Sequence, residues 1–343
     1  MTKRTAIVLF NLGGPDSLEA VRPFRFNLFN DKAIFHLPQP FRALLAAFVA
    51  KRRASTAVEI YRHLGGGSPL LENTEAQANA LHMALGGGPQ VRVFVAMRYW
   101  HPFTEQTVSD VQGWRPDEIV LLPLYPQFST TTTASSVLAW RQSARALKLN
   151  VPTRSICCYP EAPGFIRAAV DLIEPALAQA KTYGHPRLLL SAHGLPETVV
   201  KGGDPYQIQC EMTAKAIVSA IGQPDLDWSL CYQSRVGPMK WIGPSTGEEI
   251  RRAGQDKVPV VIAPVAFVSE HSETLVEIEI EYRKLAGDVG VPYFRRVPTV
   301  ATAPSFIETL ANLVGKEPAG GDVTSDAGVR ICPGKCGACP MKL

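Results

Sequence analysis

Short runs of consecutive apolar residues recur along the chain, separated by longer stretches in which apolar positions return with helical spacing. The runs Ala6–Phe10, Val91–Ala96, Ile119–Pro123, Arg187–Ser191, Trp228–Tyr232 and Val258–Val265 predict strands. Helical patterns fall between them, near Thr74–Leu85, Thr104–Gln112, Ala134–Leu147, Phe165–Lys181, Tyr206–Ile221 and Thr246–Ala253. This alternation predicts an α/β protein with parallel sheets and helices on both faces. The number of units fits two doubly wound halves. The expected division is an N-terminal domain over residues 1–160, a C-terminal domain over 161–317, and a tail over 318–343.

Length and composition agree. The chain has 343 residues, enough for two domains, and its 46% hydrophobic and 19% charged residues exclude disorder, collagen and a bare coiled coil. The formal charge of +4 is too small to imply a nucleic-acid partner. No apolar run reaches the roughly 18 residues of a membrane span. Thr5–Phe10 is too short for a signal sequence and reads as a first strand, so the chain is expected to be cytoplasmic. Seven cysteines, an odd number, argue against a disulfide framework in that compartment.

Ligands of open α/β sheets collect beyond the carboxyl ends of strands. Two turns are therefore the first candidates. One is Asn11-Leu12-Gly13-Gly14-Pro15, after the first strand, and the other is Ser191-Ala192-His193-Gly194-Leu195-Pro196. Neither Gly13-Gly14 nor Gly65-Gly66-Gly67 matches a nucleotide fingerprint, and both read as turn glycines. At its strand end, the His193 imidazole can accept a proton or bind a metal. A second constellation follows the Val258–Val265 strand. Glu273, Glu277 and Glu281 lie at i, i+4 and i+8, which stacks three carboxylates along one helix face, with His271 two residues upstream. The row reads either as a solvated face or as a path for a cation, whose hard or borderline character suits carboxylate oxygens.

Cys332, Cys336 and Cys339 form a C-x3-C-x2-C knot within the last twelve residues, with Gly334, Gly337 and Ala338 leaving room for the backbone to wrap around sulfur. Such knots bind zinc or an iron–sulfur cluster. A fourth ligand must come from Cys157, Cys158, Cys210 or Cys231. Residues 318–328, opening Pro-Ala-Gly-Gly, read as a flexible linker to the knot. Residues 24–50 carry eleven large apolar side chains and end in Lys51-Arg52-Arg53. This segment is either a buried helical pair or an apolar lip for a flat ligand or a membrane surface. Arg98-Tyr99 and Tyr125, each after a strand, can pack a planar ligand and pair its carboxylates, or can be structural.

Taken in order, these segments resemble the ferrochelatase family. Matching pieces are Asn11–Pro15, Lys51–Arg53 with Tyr61-Arg62, Gly65–Pro69, Arg98-Tyr99, His101-Pro102 and Tyr125–Gln127. They continue through Ser191–Pro196, Gln233–Pro238, Trp241–Pro244 and Pro264–Phe267 through Tyr282. The resemblance implies two Rossmann-like domains with a cleft between them, and insertion of Fe2+ into protoporphyrin IX to give protoheme. It implies that His193 is the base or metal ligand at the porphyrin centre and that Glu273 faces it. Glu277 and Glu281 continue the acidic row, and His271 neighbours it. It places Leu12 near the ring on the other side of the metal, adds Arg98, Tyr99, Tyr125 and Trp241 as substrate contacts, and makes residues 24–50 the apolar lip. The tail resembles that of members carrying a [2Fe–2S] cluster, with Cys332, Cys336 and Cys339 as ligands. The internal ligand of animal members aligns near Ala168, so here Cys158 or Cys157 is expected to replace it. A bacterial homodimer with peripheral membrane contact is the implied setting. The rival expectations are a coproporphyrin or other-metal chelatase, a non-catalytic heme- or metal-binding protein on the same scaffold, and an iron–sulfur sensor.

Overall fold

The computed structural model describes residues 3–235, 237, 239–318 and 321–341. Val236 and Pro238 of the Gln233–Pro238 run lie outside the described residues. Nine strands are found among the described residues, all in parallel pairings: β1 (Thr5–Asn11), β2 (Val91–Met97), β3 (Glu118–Pro123), β4 (Thr153–Ile156), β5 (Arg187–His193), β6 (Asp227–Gln233), β7 (Val260–Pro264), β8 (Phe294–Arg296) and β9 (Val323–Thr324). They form two sheets, ordered β2-β1-β3-β4-β9 and β6-β5-β7-β8. In the first, Ile7 pairs with Val93 on one side and Val120 on the other. In the second, Leu189 pairs with Ser229 and Ile262. Continuous burial along β3 and β7 explains why these strands read as unbroken apolar runs, because helices cover both sheet faces.

Two compact units result. The first comprises Met1–Tyr125, Ser129–Cys157 and Val314–Thr324, and the second Pro126–Phe128, Cys158–Leu313 and Ser325–Leu343. The first unit packs Val8, Phe10, Leu121 and Trp140 into one core, where Phe10 meets Trp140 edge-on at 6.2 Å. The second packs Leu189, Ile250, Ile262 and Ile278. Helix Thr246–Asp256 starts on a capping box: the Ser245 hydroxyl accepts the Glu248 N–H, and the Glu248 carboxylate accepts the Ser245 N–H.

Three features differ from the sequence expectation. The expected linker over residues 318–328 contributes an edge strand, because the Ser155 N–H donates to Asp322 O at 2.7 Å and the Cys157 N–H to Thr324 O at 2.8 Å. The acidic row lies on a π-helix, Glu273–Tyr282, rather than an α-helix. Its wider turn puts residues four apart just short of one turn instead of just past it. Finally, helix Phe41–Arg52 leaves Phe41, Leu44 and Phe48 64%, 66% and 59% exposed, so this segment is not a buried pair.

Candidate active site

The end of β5 delivers His193. Its Nδ1 lies 2.5 Å from Gly194 O, which makes Nδ1–H the donor and leaves Nε2 with the lone pair. Nε2 sits 3.7 Å from Glu273 Oε1. Gly194 is required because a Cβ there would lie 2.8 Å from Gln233 O, in the close approach of the β5 and β6 ends. The Tyr206 hydroxyl donates to His193 O at 3.1 Å and braces the backbone from the helix Tyr206–Ile221.

The π-helix supplies the opposing wall. Glu273 presents its second oxygen to His271 Nε2 at 3.9 Å. His271 is buried, and its Nδ1–H donates to Ser269 O at 3.1 Å. Burial holds its imidazole below the ordinary histidine range despite the Glu273 charge beside it. Phe267 lies against the His271 ring at 4.6 Å and 6.5 Å from that of His193. Glu277 receives four donors: Ser234 N–H at 2.8 Å, Tyr282 Oη at 2.9 Å, Gln233 Nε2 at 3.0 Å and Ser234 Oγ at 2.5 Å. Burial and the neighbouring Glu273 charge raise its pKa, against those hydrogen bonds. Glu281 is exposed at the far end of the row. The structure therefore sets His193 and His271 at 3.7 and 3.9 Å from Glu273 and links Glu277 to Glu273 through Ser234, and Glu281 stands apart from them.

In the first unit the Asn11–Pro15 turn is fixed by its own polar groups. Asn11 Nδ2 donates to Thr74 Oγ1 at 3.0 Å, and Asn11 Oδ1 accepts the Leu12 N–H at 2.8 Å. Gly13 has φ +86° and a Cβ there would lie 3.0 Å from Trp100 N, so glycine is needed twice over. Leu12 is half-buried at this turn. Arg98 donates to Asp31 Oδ2 and to Ser135 Oγ, both at 2.8 Å. The Tyr99 hydroxyl donates to the same Asp31 oxygen at 2.8 Å, and Tyr99 is 1% exposed. Direct substrate contact by Tyr99 is therefore revised: its ring is sealed and its hydroxyl is spent on Asp31. Tyr125 keeps a half-buried ring beside the Phe10–Trp140 core. In the second unit Trp241 is half-buried and pairs as a bridge with Pro196, next to the His193 turn.

The cysteine knot belongs to the second unit. Cys332 and Cys336 are buried, and Gln209 Nε2 donates to Cys332 Sγ at 3.1 Å. The Arg330 guanidinium donates to Cys332 O, Pro333 O, Cys336 O and Met341 O at 2.9–3.2 Å. The loop docks on Gly203, whose carbonyl accepts the Ala338 N–H at 3.2 Å. Cys158 O accepts the Asp326 N–H at 3.1 Å within the second unit, whereas Cys157 and the Thr324 O that accepts its N–H both belong to the first. A hydrogen bond from Cys332 lowers the Cys339 thiol to about 6. In donor type and in one braced loop the thiols fit an iron–sulfur centre. Among the described residues, however, no three His, Cys, Asp or Glu side chains are gathered to hold a metal ion.

From the sequence, Gln233 and Ser234 stand only within the matching run Gln233–Pro238, without a role, and Asp31 and Arg330 are not named. The Gln233-Ser234 pair directly after a strand was the available signal for the first two.

A family model described as Ferrochelatase matches residues 4–317. A protein named Ferrochelatase from Caulobacter vibrioides (strain NA1000 / CB15N) is 49% identical over 349 aligned positions, covering 100% of this chain and 99% of its own. Another of that name, from Wolbachia sp. subsp. Drosophila simulans (strain wRi), is 50% identical over 312 residues, covering 90% and 98%. Among solved structures, SirB from Bacillus subtilis with Fe3+ matches with a TM-score of 0.52 at 12% identity, covering 91% of this chain and 94% of its own, which shows the fold alone.

Proposed function

The chain belongs to the ferrochelatase family, and we propose that its reaction is carried by the His193, Glu273 and Glu277 group at the end of β5. The protein is a porphyrin-metallating enzyme: Fe2+ replaces two pyrrole protons of protoporphyrin to give protoheme.

In this reading His193 Nε2 accepts a pyrrole proton as general base. The free lone pair on Nε2, set by the Nδ1–H bond to Gly194 O, is the observation that carries the assignment. Glu273, 3.7 Å away, stabilises the imidazolium that forms and accepts the proton onward. Fe2+ is a substrate, and Glu273 and Glu277 supply oxygens that replace its water, with His271 as the neutral neighbour and Glu281 at the exposed entrance of the row. A planar macrocycle must distort to admit a metal, and binding energy from its periphery can be used for that. Trp241, half-buried beside the His193 turn, is the peripheral contact in this reading. The exposed Phe41, Leu44 and Phe48 beside Lys51, Arg52 and Arg53 support peripheral contact with a cytoplasmic membrane surface. No helix among the described residues is long and apolar enough to cross one.

The family match ends at residue 317, so the tail is argued from its own residues. Cys332, Cys336 and Cys339, with Cys158 as fourth ligand, would hold a [2Fe–2S] cluster. Cys157 and Cys158 both pair through their backbone with the tail segment, and Cys158 is favoured because it shares the second unit with the three tail thiols. Iron insertion is redox-neutral, so it requires no electron transfer from a cluster. Cys339→Ser should bleach visible cluster absorption, and an unchanged spectrum would remove it as a ligand. The reaction itself is tested by mixing the protein anaerobically with Fe2+ and protoporphyrin. Multiple-turnover loss of porphyrin fluorescence with heme appearing is expected. A change that stops at one porphyrin per chain would mean binding without catalysis.

A further inference from the structure

We propose that Ser234 is a positioning residue for iron insertion, and that its hydroxyl holds the Glu273 carboxylate at the working distance from His193. The inference rests on the metallation reading above and adds a residue to it. Ser234 is the first residue after β6 and adopts φ +61°, a left-handed conformation uncommon for a side chain larger than glycine. Its N–H meets Glu277 Oε1 at 2.8 Å, while its Oγ lies 2.5 Å from Glu277 Oε2 and 3.2 Å from Glu273 Oε2. The single hydroxyl proton is thus shared between two carboxylates on successive turns of the π-helix, closer to Glu277 and within reach of Glu273.

The two carboxylates depend on it unequally. Glu277 keeps the Ser234 N–H, Gln233 Nε2 and Tyr282 Oη if the hydroxyl is lost. For Glu273, Ser234 Oγ is the one side-chain hydrogen-bond partner among the described residues, since the imidazole nitrogens stand off at 3.7 and 3.9 Å. The platform beneath Ser234 is rigid. Gln233 is fully buried, its Oε1 accepts the Ser191 hydroxyl at 2.8 Å, and its Nε2 donates both to Glu273 O at 3.1 Å and to Glu277. The backbone of Glu273 is therefore pinned by Gln233, and its side chain is aimed by Ser234.

Ser234→Gly is the variant of choice, because glycine accepts the left-handed backbone and retains the N–H bond to Glu277. Loss of a hydrogen bond to a charged group should lower kcat about tenfold to a hundredfold. The KM for porphyrin and the Tm should stay near wild type. Ser234→Ala, which also keeps the N–H, should show the same split and so assign the loss to the hydroxyl. In a Glu273→Gln background, Ser234→Gly should cost little more, whereas a general structural role would multiply the two losses. Wild-type kcat in Ser234→Gly, or multiplying losses, would overturn the proposal while wild-type turnover still upheld the reaction. Absence of turnover in the wild-type protein would instead remove the metallation reading.

Discussion

Two interior strands, β1 in the first sheet and β5 in the second, are each flanked by parallel neighbours and each leads into a glycine-containing turn, but their ends are satisfied differently. Beyond β1 the polar groups close on one another: Asn11 on Thr74 and Leu12, and Arg98, Tyr99 and Ser135 on Asp31. Beyond β5, among the described residues, His193 Nε2 has no hydrogen-bond partner on a side chain that is 40% exposed, and Glu273 has a single side-chain donor. A saturated polar cluster fixes geometry and has nothing left to offer a substrate. An undersatisfied base beside an undersatisfied carboxylate can take up protons or a cation. The difference separates scaffold from chemistry within one repeated architecture.

The largest effect that sharpens this contrast is on the open side. Glu273→Gln should reduce kcat about a hundredfold or more, with porphyrin affinity and thermal stability near wild type. Full activity would reduce the acidic row to a solvated face. On the closed side Asp31→Asn should act on stability. Removing one partner of a buried ion pair costs about 3–5 kcal/mol, and the lower end applies because the Arg98 side chain is 25% exposed. Denaturant unfolding measures this, and a variant as stable as wild type would break the contrast. The smallest effect is its pH dependence. Burial pushes the Asp31 carboxyl up, but Arg98, the Ser135 hydroxyl, the Ala33 N–H and Tyr99 outweigh it and hold the pKa below the ordinary value. A carboxyl with a depressed folded-state pKa contributes stability above its unfolded value and loses it as pH falls through the folded one. The wild-type acid limb should therefore be steeper than that of Asp31→Asn.

The six longer strands were legible because each carries a short run dominated by apolar residues, a pattern independent of what packs on it. β4, β8 and β9 were not, since they have four, three and two residues and are carried by backbone pairing, β8 and β9 at sheet edges and β4 next to one. The same reason hid order in the Gly- and Pro-containing segment around Val323. The residues of the acidic row were legible, but the i, i+4 spacing is common to α- and π-helices, so the widened turn was not. Ser234 was invisible as a positioning residue because its role depends on a positive φ and on carboxylates 39 and 43 positions away. The Arg98–Asp31 closure spans 67 positions and left no local trace.

The account stands most directly on His193→Ala, followed in one sample by porphyrin titration and by anaerobic Fe2+ insertion. It predicts that porphyrin still binds with near wild-type affinity while heme formation falls at least about a hundredfold. Wild-type turnover in that variant would contradict the assignment of the chemistry to the open end of β5.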